Sequence, residues 1–191
     1  MAAIGSITVV EEPENEPVTV PEMRDHCRID VNDDNEYLAA LIVAARRYFE
    51  NRTGLLLAQQ TIRQRHHCFP CGMIRLQRMP VSSVEVKYID ADGAEQTLDD
   101  DAIQTNFEDT IPAIAPSPGT SWPATESGRL GAVWIDIEGG YETCPADLKQ
   151  GVKMLAAHWY AQREPVSEKS MSNVPLTVEA IIGMNSTALI P

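Results

Sequence analysis

The chain is short of the residues that most often announce a function. Basic side chains are outnumbered: 15 Lys and Arg face 28 Asp and Glu, a formal net charge of -13. Binding to phosphate needs clustered Lys and Arg, so this balance excludes nucleic acid as an adhesive partner. It leaves room for DNA that passes nearby without sticking. Four cysteines, Cys27, Cys68, Cys71 and Cys144, are too few for a disulfide scaffold in 191 residues. No apolar run approaches the roughly 20 residues that span a bilayer. Met1 to Gly5 places no basic residue ahead of an apolar stretch, so no signal peptide is expected. The expectation is a soluble chain, away from membranes, with reduced thiols. Hydrophobic residues at 43% and charged residues at 23% are ordinary for a packed protein, which excludes wholesale disorder.

Catalytic and metal-binding patterns are also scarce. His66-His67-Cys68-Phe69-Pro70-Cys71 is half of a structural zinc site, but no second pair lies a dozen or more residues away. Adjacent histidines on a strand point to opposite faces and do not converge on one ion. A redox role for Cys68 and Cys71 needs a following helix N-terminus; Gly72-Met73-Ile74-Arg75-Leu76 reads as a strand instead. A zinc-binding module built on Cys68 and Cys71 stays as a minor alternative. Asp30 to Glu36 looks superficially like a calcium loop. The sixth and twelfth positions hold Asn35 and Leu41, where Gly and Glu are required, so helix capping explains it better. Asp99-Asp100-Asp101 reads as a solvated turn. None of the four histidines sits in a nucleophile motif, and His158 reads as a core or interface residue. No catalytic residue, metal ligand or cofactor is assigned.

What is present is a run of ordered elements. Residues 1–17, with Glu11, Glu12, Glu14, Glu16 and two prolines, read as a flexible acidic leader. Thr19-Val20-Pro21-Glu22 is a capping box with Pro in the first turn, predicting a helix over 20–28. Leu38, Leu41, Ile42, Ala45 and Phe49 recur at helical spacing and predict a second helix over 33–53, closed at Gly54. Residues 60–141 alternate as half-buried strands do, at Thr61–Arg65, Ile74–Leu76 and Val84–Ile89. Asp90-Ala91-Asp92-Gly93 reads as a hairpin turn. Pro112, Pro116, Pro118, Gly119, Pro123 and Gly128, among residues 108–131, read as a long, mobile loop. Pro145, Leu148, Val152, Leu155, Ala156 and Trp159 predict a third helix over 146–163, stopped by Pro165.

Residues 165–191 read as a C-terminal arm: a polar linker, then Leu176, Val178, Ile181 and Ile182 at a spacing that suits a short apolar-sided helix. Two destinations are open, the chain's own core or a groove on a partner. Burying four such side chains is worth roughly 6–10 kcal/mol gross, before the cost of ordering the segment.

Several stretches together carry a family likeness. They are Val18–Glu22 leading to His26–Asp30; Ala44–Glu50 ending in Thr53-Gly54, with Gln60-Thr61 beyond; Ile74–Leu76, Pro80–Val84 and Tyr88–Gly93; and Pro145–Gln150 with His158-Trp159-Tyr160 and Arg163-Glu164. In this order they resemble the head–tail connector (adaptor) proteins of long-tailed phages, prophages and gene transfer agents, over most of residues 18–185. The resemblance implies an α+β fold: a small helical bundle with an inserted antiparallel β-rich module and a C-terminal arm, 18–164 forming a single connector domain. It implies a non-enzymatic virion protein, made in the host cytoplasm and placed in the neck between head and tail. Its copies, about a dozen, would form a homo-oligomeric ring between the portal protein and a head-closure or tail protein. The ring would leave a channel through which DNA passes unbound. Leu176, Val178, Ile181 and Ile182 would then meet the portal, and Arg46, Arg47, Trp159 and Tyr160 would lie at subunit interfaces. Another virion ring component, a head-closure or tail-terminator protein, is the nearest alternative.

Overall fold

A computed structural model describes residues 4–162 and 174–187. The expected end of the third helix at 163 and most of the polar linker after 165 lie outside the described residues. The protein is α+β, and it divides into two compact units. One is helical, from Asn15–Ala58 and Tyr141–Ile190; the other is β-rich, from Gln59–Gly140 with the N-terminal strand. The 18–164 span expected as a single domain thus holds two cores, because residues 60–141 are numerous enough to bury a core of their own. No helix among the described residues is long and apolar enough to cross a membrane.

The helical unit has four helices: α1 (Val20–Cys27), α2 (Asn35–Thr53), α3 (Ala146–Ala161) and α4 (Leu176–Asn185). α1 starts where its sequence directs. Thr19 Oγ1 accepts from the Glu22 amide and the Glu22 carboxylate accepts from the Thr19 amide, completing the capping box. α2 ends at Gly54, whose φ of 81° is the left-handed conformation a helix C-cap uses. Met23, Leu38, Ile42, Ala45 and Phe49 pack with Leu148, Val152, Leu155 and Ala156, all essentially inaccessible. Gly151 in α3 looks costly, by about 1 kcal/mol against Ala. A Cβ there would stand 2.5 Å from Cζ of Phe49, so the glycine lets α2 and α3 approach each other.

The β-rich unit holds a five-stranded antiparallel sheet with strand order β1-β2-β8-β4-β5. Its strands are β1 (Ile4–Glu11), β2 (Gln60–His66), β4 (Val81–Ile89), β5 (Glu95–Thr97) and β8 (Val133–Gly139). A smaller sheet, ordered β3-β7-β6, uses Ile74–Arg75, Ala113–Pro116 and Ile103–Asn106 for β3, β7 and β6. β2 alternates as its sequence predicts: Ile62, Gln64 and His66 are buried while Arg63 and Arg65 face outward. There Arg63 grips Asp136 on β8 with two bonds of 2.6 and 2.7 Å. Asp90 Oδ1 accepts from the amides of Asp92 and Ala94, closing the turn between β4 and β5 with Gly93 at φ 85°.

Two expectations are corrected. The acidic leader is not loose: Ile4–Glu11 is an edge strand, pairing Thr8 with Arg63 and Val9 with Ile62. Its Ile, Thr and Val content favours an extended backbone, a preference that outweighs the carboxylates crowding its far end. Residues 108–131 are not one open loop either. They contain β7, and Trp122 stacks on Phe69 at 4.7 Å while its indole N–H donates to the Gly72 carbonyl at 2.7 Å.

Candidate assembly surfaces of the helical unit

The residues expected at interfaces have separate fates. Arg46 is fully buried: its Nε lies 2.8 Å from Glu16 and its Nη1 2.9 Å from Glu50. Glu50, also buried, accepts from the Leu57 amide through its other oxygen at 3.0 Å. Arg46 therefore ties the segment before α1 and the chain after α2 to the core, and its charge is turned inward. Arg47, one residue on, is exposed. Trp159 is half-buried with its edge against Tyr48 at 6.1 Å; Tyr160, also half-buried, donates its hydroxyl to Asp34 at 2.7 Å.

The apolar residues of α4 are divided between two faces. Val178 and Ile182 sit in the unit's own core at 0% and 4% exposure, and Ile181 is partly covered. Leu176 is 88% exposed and Met184 75%. Polar contacts hold the helix in this seat. Glu179 pairs with Arg52 at 3.0 Å, Asn185 donates to Asp147 at 2.9 Å, and Thr187 donates to the Thr53 carbonyl at 2.7 Å. The four side chains expected to act together on a partner are thus split, two inward and one fully outward. Spacing alone could not separate them, because α4 is apolar nearly all round, a pattern that names burial but not its direction.

Glu22 gathers charge between helices. Lys149 on α3 stands 2.7 Å from it and Lys153 3.8 Å. The Lys149 hydrogen bond, then the Thr19 amide, pull its carboxyl down to about 2. Sequence reasoning missed Val31 and Tyr37, which are 57% and 41% exposed at the α1–α2 turn and the first turn of α2. A short apolar pair inside an acidic run carries no periodic signal.

In the β-rich unit, the cysteine segment does not assemble a donor set. Cys68 and Cys71 are both exposed. His66 is buried beside Gln64 at 2.8 Å, and burial pushes its pKa down. His67 Nδ1 accepts from the Gly131 amide at 3.1 Å. Among the described residues no three His, Cys, Asp or Glu side chains are placed to hold a metal ion.

The helical unit turns Arg46 and Glu50 into its own core and leaves large apolar side chains exposed on α4 and at the α1–α2 turn. The chain's family follows from comparison. Residues 17–115 match the phage gp6-like head-tail connector protein family, and the chain belongs to it. It is a head–tail connector, a structural protein of the virion placed where head meets tail. Solved structures agree along nearly the whole chain. A chain from the neck of an empty GTA particle computed with C6 symmetry is 26% identical, with a TM-score of 0.79 and 96% of each chain covered. A chain from the virion of a native gene transfer agent (GTA) particle is 25% identical, with the same score and coverage. A third, from the neck of a native GTA particle computed with C12 symmetry, shares the fold at 24% identity and a TM-score of 0.76. No curated protein matches the sequence.

Proposed function

We propose that copies of this chain close into a ring in the virion neck, with the portal protein on one side and a head-closure or tail protein on the other. The observation that carries this reading is the family match over residues 17–115, joined to a fold shared with chains from GTA particle necks computed with C6 and C12 symmetry. The chain acts by position and has no catalytic role. The portal contact expected of Leu176, Val178, Ile181 and Ile182 requires α4 to leave its seat, since Val178 and Ile182 are core residues while it is seated.

The net charge of -13 suits a channel for DNA. Carboxylates along a lumen repel the phosphate backbone, so the genome slides and does not bind. Electron microscopy of the purified chain, alone and with portal-bearing heads, followed by DNA retention on the assembled rings at low salt, tests both halves of the proposal. Rings that retain no duplex DNA are expected. Chains that never form a ring in either setting overturn the ring, and tight DNA retention overturns the sliding channel.

A further inference from the structure

We propose that the outward face of α4 on one copy packs against the Val31–Tyr37 end of the helical unit on the next copy, forming the lateral contact of the ring. This rests on the ring reading above and names its surfaces.

Leu176, Thr177, Ala180, Gly183 and Met184 are all exposed. At 100° per residue they fall within about a third of the helix circumference. None is ionisable. The space beside Gly183 is open, with nothing within 4 Å of where a Cβ would stand. Glu179, the single charged residue of α4, borders this face and is paired with Arg52 and Tyr48. The face is therefore an apolar ridge, Leu176 to Met184, around the small residues Ala180 and Gly183 that admit another element closely.

A second copy is the occupant that the charge favours. Identical chains with 28 acidic and 15 basic residues repel one another, and approach is easiest where one mating surface carries no charge. The α1–α2 turn is acidic around its apolar pair, with Asp30, Asp33 and Glu36 close in sequence. An uncharged face settles on it without like-charge repulsion, and α4 supplies such a face on every copy.

Symmetry supplies the second argument. A cyclic ring uses head-to-tail contacts, so each copy needs two different patches that fit each other. Among the described residues of the helical unit, the large apolar side chains left exposed are Val31, Tyr37, Leu176 and Met184. They form two groups. α4 leans on Arg52 and Thr53 at the end of α2, whereas Tyr37 lies in its first turn. Fifteen residues of helix separate Tyr37 from Arg52, about 22 Å. The two patches stand at opposite ends of one rigid element, as a head-to-tail contact requires.

The test uses full-length chains under the conditions in which the wild type forms rings, read by electron microscopy and native mass. Leu176→Lys alone and Val31→Glu alone are each expected to raise the protein concentration needed for rings by about tenfold or more. An equimolar mixture is expected to restore rings in which the two variants alternate, because every contact in such a ring is either native or Lys against Glu. Met184→Lys, on the same face, is expected to repeat the Leu176→Lys result. The substituted positions are all exposed, and unchanged circular dichroism of each variant separates lost assembly from lost folding. Rings from Leu176→Lys and Met184→Lys at wild-type concentration overturn this contact and leave the ring reading standing. Normal rings that no longer attach to portal-bearing heads give the α4 face to the portal, which also overturns it. A wild type that forms no ring overturns the ring reading itself, and this contact with it.

Discussion

Arg46→Met is expected to destabilise the helical unit by about 3–5 kcal/mol, the cost of leaving a buried charge without its partner. The charge left behind is Glu50, whose side chain is 7% exposed; Glu16 at 24% recovers partial hydration. Glu50 cannot turn outward freely, because its second oxygen holds the Leu57 amide. That amide decides the design of the rescue. Arg46→Met with Glu50→Met also strands a buried N–H, worth about 1–3 kcal/mol. Arg46→Met with Glu50→Gln keeps an acceptor for Leu57 and removes the charge, so it is expected to recover most of the loss. Urea unfolding followed by helical circular dichroism checks this. A single variant within about 1 kcal/mol of wild type would remove Arg46 as the keystone of the unit.

Gly139→Ala is expected to cost about 3 kcal/mol, at the upper end of overpacking. A Cβ on Gly139 would lie 2.2 Å from the Pro80 carbonyl oxygen, and 3.2 Å from Pro80 C and from Val81 Cα. These are backbone atoms and cannot rotate aside. The Pro80 carbonyl is moreover fixed by accepting from the Gly140 amide at 3.0 Å, next to the Val81–Gly139 pair of β4 and β8. The methyl must therefore push apart neighbouring strands of the larger sheet. Gly72→Ala is the control, since nothing lies within 4 Å of its Cβ position, and it should fall within about 0.5 kcal/mol of wild type. Thermal unfolding of the two variants side by side gives the comparison; equal melting points would contradict the strand contact.

The helices were the most legible region of the sequence because their signals are local. The Thr19–Glu22 capping box, the Leu38-to-Phe49 stripe and Gly54 set α1 and α2 to within two residues of the observed ends. The strands of 60–141 announced themselves by alternation. β1 did not, because Glu11, Glu12, Glu14 and Glu16 masked a short β-branched run whose pairing partner lies some fifty residues away. Arg46 illustrates a different limit. Its expected place was a subunit interface, but it lies in the core, and its burial depends on Glu16, which is remote in sequence.

The apolar content of residues 176–184 was plain, but its direction was not. Val178 and Ile182 meet the unit's own core while Leu176 and Met184 remain outside, a division that depends on how α4 lies against α2 and α3. The Val31–Tyr37 patch shows the same limit, since a surface is defined by what does not cover it. The family likeness, by contrast, was legible early because it depends on the order of many weak motifs.

The measurement that bears most directly on the connector role is head–tail joining in particles assembled without this chain. Heads lacking it are expected to stay untailed, and adding the purified protein should place a ring at the portal vertex and restore joining. Heads that accept tails equally well without the chain would contradict the account.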